Sequence, residues 1–132
     1  MLQKEIEPIR WEDNRLLLLD QTMLPDRLEW LVVDTVEAAI DAIRAMRVRG
    51  APAIGVAATY AMVIASDSID APTMSSWLNL LDPIAARVAA ARPTAVNLGW
   101  AVQRSVDTAR GANSPIEARK RLLALAHQTK AD

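Results

Sequence analysis

The sequence predicts an α+β fold, in which a small antiparallel sheet of three strands precedes a bundle of about five helices. Two observations predict it. The first third of the chain alternates short apolar runs with turn-forming residues, which is typical of a β meander. The remainder repeats apolar residues at helical spacing and is rich in alanine, which favours closely packed helices. We assign residues 1–34 to the meander and residues 35–132 to the helical bundle.

Three strands are predicted in the meander. Residues 9–11 and 15–19 flank the polar turn cluster at 12–14, and residues 27–33 form the third run. The continuous leucines of the second run indicate a strand covered on both faces, although a leucine run also suits a helix.

The first two predicted helices meet at a glycine. Asp34 or Thr35 caps the first helix, which is predicted to end at Gly50. Pro52 opens the second helix, because proline is well tolerated in a first turn. Residues 53–65 are apolar all round, so this helix is expected to be the buried centre of the bundle.

Three further helices are expected. One covers residues 73–91, where Pro83 either kinks it or restarts it after Asp82. The next begins at the cap formed by residues 93–94 and runs to Arg110, and the last begins at a capping box over residues 114–117. The apolar residues predicted to face inward on the first and last of these three helices are Trp77, Leu80, Leu81, Ile84, Val88, Ile116, Leu122, Leu123 and Ala126.

Composition excludes several kinds of site. The chain has no cysteine and one histidine, so neither a disulfide nor a metal site of several cysteines or histidines is expected. The formal net charge of −1 gives no bulk attraction to nucleic acid. No apolar run approaches the roughly 20 residues that span a bilayer. We therefore expect a cytoplasmic protein with no membrane or nucleic-acid partner.

A phosphate site is one interpretation of Arg49-Gly50-Ala51-Pro52. Gly50 lets a ligand approach the backbone, and the N–H groups at a helix start lack intrahelical partners and attract anions. The guanidinium group of Arg49 carries a positive charge and can donate two hydrogen bonds to phosphate oxygens. The alternative is a surface arginine followed by a capping glycine and a first-turn proline.

Arg92-Pro93-Thr94 has the same order of arginine, proline and helix start, so two such corners would converge on one dianion. For Arg92 alone, we favour the interpretation of a basic residue at a helix C-terminus that interacts with the helix dipole. We interpret Asn97 and His127 as structural or surface residues. The four tryptophans are expected to fill the core or a domain interface; they are Trp11, Trp30, Trp77 and Trp100.

Three strings together resemble a known enzyme family. They are residues 46–55 (MRVRGAPAIG), residues 92–98 (RPTAVNL) and residues 19–25 (LDQTMLP). Residues 48–55 of the first string are shared across a superfamily that includes ribose-1,5-bisphosphate isomerases and regulatory subunits of the translation factor 2B complex. The combination is similar to methylthioribose-1-phosphate isomerases of methionine salvage.

The resemblance implies the amino-terminal domain of a two-domain protein whose second domain is Rossmann-like. It implies an aldose–ketose isomerase for 5-methylthioribose 1-phosphate that uses neither metal nor organic cofactor. Its substrate-binding positions correspond here to Arg49, Gly50, Ala51 and Arg92. The family's catalytic Cys and Asp lie downstream, so no catalytic residue is expected in this chain. The expected partners are the sugar phosphate, the protein's own carboxy-terminal domain and a second subunit in a homodimer.

Two alternatives stay open. One is a related enzyme that acts on ribose 1,5-bisphosphate, and the other is a non-enzymatic regulatory or assembly module of the same superfamily. The hydrogen transfer between C2 and C1 also has two routes, through an enediolate or as a hydride.

Overall fold

The computed structural model of the chain describes residues 8–20, 26–27, 29–45 and 50–131. It confirms the α+β prediction, because one antiparallel sheet is followed by five helices. The strands are β1 (Ile9–Glu12), β2 (Arg15–Leu19) and β3 (Trp30–Val33), in the order β1-β2-β3. The helices are α1 (Val36–Arg44), α2 (Ala51–Ser68), α3 (Met74–Ala89), α4 (Val96–Arg110) and α5 (Pro115–Ala131).

A tight turn joins the first two strands. Asp13 and Asn14 have φ values of 54° and 60°, and Glu12 pairs with Arg15 across the strands. Two successive left-handed residues make the type I′ turn that matches the twist of a hairpin, and Asp and Asn tolerate that conformation well.

The third strand is shorter than the predicted run of residues 27–33. It begins at Trp30, which pairs with Leu19 at the end of β2. The pairing of β2 with β3 ends at this pair, and just beyond it the carbonyl of Glu29 accepts a hydrogen bond of 2.7 Å from the Asp20 amide.

One face of the sheet packs on the helices. Ile9 pairs with Leu18, and Leu16 pairs with Val33, and all four side chains are buried. On the other face the guanidinium carbon of Arg10 lies 4.7 Å from the ring centre of Trp30. The alternation of buried and exposed side chains follows from the two-residue repeat of a strand.

Helix α2 is the centre of the molecule, as its sequence predicts. Every residue from 54 to 66 is buried, and the helix packs against the other four helices and against β1 and β2. The hydroxyls of Thr59 and Ser66 donate to the carbonyls of Gly55 and Val63, both at 2.6 Å. These polar groups are therefore satisfied within the helix itself. Among the described helices, none combines the length and hydrophobicity needed to cross a membrane.

Several predicted helix boundaries are wrong. Helix α1 ends at Arg44 with Ala45 as its C-cap, so it does not reach Gly50; residues 46–49 lie outside the described part. Helix α4 begins at Val96 rather than at residues 93–94, because the Ala95 amide closes a turn on the carbonyl of Arg92 at 2.9 Å. Helix α3 is continuous through Pro83, so the helix does not restart there.

Two side chains predicted to face inward are exposed instead. Leu80 is 50% exposed and Ile116 is 72% exposed. The buried side of α3 carries Trp77 and Leu81, and Leu80 lies one position off that side. Ile116 lies in the first turn of α5, away from the stripe formed by Ala118 and the apolar residues that follow it. An apolar residue adjacent to a stripe is thus not necessarily covered by it.

An aromatic contact ties the sheet to α2 and α5. The ring of Trp11 stacks on Tyr60, with centres 5.1 Å apart. The buried Tyr60 hydroxyl lies 2.7 Å from Nδ1 of His127, which lies on the exposed side of α5. The lone histidine therefore has a structural role, since it satisfies a polar group at the centre of the bundle.

We predict that Tyr60→Phe lowers the free energy of unfolding by about 1 kcal/mol, because it removes this hydrogen bond and keeps the ring. The measurement is urea denaturation of four proteins: the wild type, Tyr60→Phe, His127→Ala and the double variant. A double-mutant cycle isolates the pair, and a coupling energy of about 0.5 kcal/mol or more is expected. Additive effects of the two substitutions would contradict the prediction.

Candidate functional site

Gly50 immediately precedes α2 and takes a conformation that favours glycine. Its φ is 88° and its ψ is 136°, and it serves as the N-cap of the helix. A Cβ added at Gly50 would meet no atom within 4 Å among the described residues. The requirement for glycine is therefore one of backbone conformation rather than of space. The backbone at this corner is also open to a ligand.

The five helices begin in two different ways. Helices α1, α3 and α5 are preceded by Thr35, Thr73 and Ser114, whose hydroxyls each accept a hydrogen bond of 3.1 Å from a backbone N–H three residues later. Helices α2 and α4 have Gly50 and Ala95 as N-caps, with no side-chain cap and no acidic residue in the first turn. Uncapped N–H groups and the partial positive charge of a helix start attract anions.

These two uncapped starts lie beside each other. A Cβ placed on Gly55, in the second turn of α2, would lie 3.8 Å from the carbonyl oxygen of Asn97 and 3.9 Å from Cβ of Ala101. Those are ordinary contact distances, so the close approach of α2 and α4 does not require glycine at position 55. The first turns of both helices therefore face one region of the surface.

A groove of about 770 Å³ opens at this region. Helix α2 forms its floor, and α4, α5 and the residues at the start of β1 form its walls. Its charged lining residues are Arg104 and Lys130, and no carboxylate lines it among the described residues. The full lining consists of Pro8, Ile9, Pro52, Ala53, Gly55, Val56, Thr59, Asn97, Trp100, Ala101, Arg104, Leu125, Thr129 and Lys130.

The predicted site residue Gly50 is not among the residues that line the groove. Gly50 and Ala51 lie at the start of α2, directly before the groove residue Pro52. Arg92 is half-buried in the turn before α4, forms no ion pair with any described residue and does not line the groove. Arg49 lies outside the described residues. The convergence of the two arginines on one anion stays a prediction.

The sequence did not indicate the groove. Val56 and Thr59 line it from α2, where nearly every residue is apolar and no amphipathic pattern singles out one face. Asn97, interpreted as structural, lines it from α4. Arg104 is one of many exposed charges. The spacing of Asn97, Ala101 and Arg104 puts them on one side of α4. This spacing indicates a groove only when the position of α2 beside that side is known.

The other end of α2 has a different role. Arg119 of α5 donates to both carboxylate oxygens of Asp67, and its NH2 group lies 3.1 Å from the side-chain oxygen of Asn14. The hydrogen bond to Asp67 raises the pKa of Arg119, against the smaller opposing effect of partial burial. This cluster joins the β1–β2 turn to two helices and is a structural ion pair.

The described residues contain no group of three or more histidine, aspartate and glutamate side chains placed to hold a metal ion. The groove itself offers hydroxyl, amide and cationic groups. Such groups bind an anionic or neutral polar ligand rather than a cation.

The chain matches the family described as Initiation factor 2 subunit family over residues 47–130. It is 41% identical over 115 residues to a methylthioribose-1-phosphate isomerase of Bacillus licheniformis, which covers 87% of this chain and 33% of that protein. It is also 41% identical over 103 residues to a 5-deoxyribose 1-phosphate isomerase of Bacillus thuringiensis, which covers 78% of this chain and 30% of that protein. The chain therefore spans about a third of the length of these relatives.

Two crystal structures share this fold. The translation initiation factor eIF-2B subunit delta from A. fulgidus has a TM-score of 0.87 and 34% identity, over 95% of this chain and 36% of that one. The 5-methylthioribose 1-phosphate isomerase from Pyrococcus horikoshii OT3 has a TM-score of 0.88 and 26% identity, over 96% of this chain and 36% of that one. The same fold thus occurs in an enzyme and in a translation factor subunit.

We predict opposite effects for alanine at the two glycines of α2. Gly55→Ala should raise the free energy of unfolding by up to about 1 kcal/mol, because alanine favours the helix and the methyl group fits against α4. Gly50→Ala should lower it by about 1–3 kcal/mol, because φ at this position is positive.

Urea denaturation of the two variants beside the wild type checks the prediction. Each variant is the control for the other, since both add one methyl group to the same helix or its cap. Equal effects of the same sign would show that backbone conformation does not distinguish the two positions.

Proposed function

This chain belongs to the Initiation factor 2 subunit family, and we propose that it is the phosphate-anchoring part of a sugar-phosphate isomerase. The substrate we propose is 5-methylthioribose 1-phosphate, which the full-length enzyme would convert to 5-methylthioribulose 1-phosphate in methionine salvage. The relatives named for this activity and for 5-deoxyribose 1-phosphate share a pentose 1-phosphate in their names. We therefore expect these enzymes and this chain to share a binding site for the phosphate group.

The single observation that carries the proposal is the pair of uncapped starts of α2 and α4. Both helices lack the side-chain cap that the other three have, and both contribute first-turn residues, Pro52 and Asn97, to one groove. A phosphate dianion would accept hydrogen bonds from the free N–H groups and would be stabilised by both helix dipoles. The glycine conformation at Gly50 would let the phosphate approach the backbone of α2 closely.

Arg49 and Arg92 supply the remaining charge in this proposal. Arg49 directly precedes Gly50 in sequence, and Arg92 lies in the turn that leads into α4. Arg92 has no ion-pair partner among the described residues, so its guanidinium is available to an external anion. Two guanidinium groups would balance a dianion, and each can donate two hydrogen bonds to phosphate.

The reaction is an internal oxidation and reduction. C2 of the sugar changes from an alcohol to a ketone, and the hydrogen that it loses forms a new bond to C1. The bond between C1 and the ring oxygen breaks, and the ring oxygen takes up the proton released from the C2 hydroxyl. The reaction therefore balances without an external oxidant. We propose that this chain holds the phosphate on C1 and thereby fixes the reacting carbons. The acid–base groups would lie in a second, Rossmann-like domain. Holding a substrate in its reactive geometry in this way can lower the activation free energy of the reaction by several kcal/mol.

One alternative has a specific observation in its favour. The eIF-2B subunit delta structure has the same fold at 34% identity, which fits a non-enzymatic module that acts through assembly. The two uncapped helix starts favour the enzyme, because an assembly surface does not need exposed anion-binding N–H groups. A bisphosphate substrate stays an alternative, because Arg104 and Lys130 line the groove and would attract a second phosphate group.

We predict that the 132-residue chain alone has no isomerase activity, since the proposed acid–base groups lie outside it. The measurement is conversion of 5-methylthioribose 1-phosphate by the purified chain, with a mock purification as the background. The full-length isomerase of Bacillus licheniformis is the positive control. Turnover above background would place the catalytic groups within this chain.

We predict that Arg92→Ala and Arg49→Ala each lower kcat/KM by about 10- to 100-fold, because each removes charge-assisted hydrogen bonds to the phosphate. The test protein is a full-length chimaera, in which this chain replaces the matched third of the Bacillus licheniformis isomerase.

The matched control is Arg87→Ala. Arg87 lies on α3, and its exposed guanidinium is 3.3 Å from a carboxylate oxygen of Glu37. Its loss should leave kcat/KM within about twofold of the parent, because exposed ion pairs contribute little. If Arg92→Ala and Arg49→Ala behave like Arg87→Ala, neither arginine anchors the substrate.

A further inference from the structure

We draw no further inference here: the strongest candidate, the cavity of about 360 Å³ at the carboxyl end of α2 beside Asp34, Glu37 and Asp67, is an acidic cluster in which Arg87 and Arg119 already pair with Glu37 and Asp67, and nothing in the described part of the chain shows what ligand would fill it.

Discussion

The burial of residues 54–66 of α2 is the constraint on which the rest of the structure depends. A helix that is apolar on all sides must be covered on all sides, so the other four helices and two strands of the sheet pack around it. The polar side chains within this buried stretch, Thr59, Tyr60 and Ser66, are satisfied by their own helix or by His127. The first half of α2 borders the groove through residues such as Pro52, Val56 and Thr59. Gly50 lies directly before this half of the helix, so a ligand can approach α2 from its start.

The sequence predicted the elements well where a single physical signal decided them. Thr35 and Ser114 cap helices where hydroxyl residues precede an apolar periodicity, and α2 is buried because it has no polar face. The predictions failed where two neighbouring residues competed for the same role. Leu80 and Leu81 are chemically identical, yet only Leu81 is buried, since the direction in which α3 crosses its neighbours decides between them. Likewise, Pro93 is a common first-turn residue, but the hydrogen bond from Ala95 to Arg92 delays α4 until Val96.

One part of the candidate site could likewise be predicted from the sequence, and another part could not. Gly50 was predictable, because an apolar helix that opens with Gly-Ala-Pro calls for a residue with positive φ and no cap. The second corner was predicted from Arg92-Pro93-Thr94, but the predicted helix start was wrong, because the hydrogen bonds place the uncapped start at Ala95 rather than at residues 93–94. The groove depends on how closely α2 and α4 approach at Gly55, which is a tertiary distance that no local pattern contains. Trp100 was expected in the core or at a domain interface; it is 71% exposed, so its placement in the core is wrong, and the interface stays a prediction.

The starts of the five helices fall into two groups. Helices α1, α3 and α5 are closed at their starts by hydroxyl groups, whereas α2 and α4 are left open side by side. Relative to a hydroxyl cap, alanine at an N-cap reduces stability by roughly 1 kcal/mol and glycine by only about a few tenths, so the two open starts together reduce the stability of the domain. A bound anion would offset that cost by accepting hydrogen bonds from the same N–H groups. The proposed phosphate site thus explains why these two helix starts, unlike the other three, have no side-chain cap.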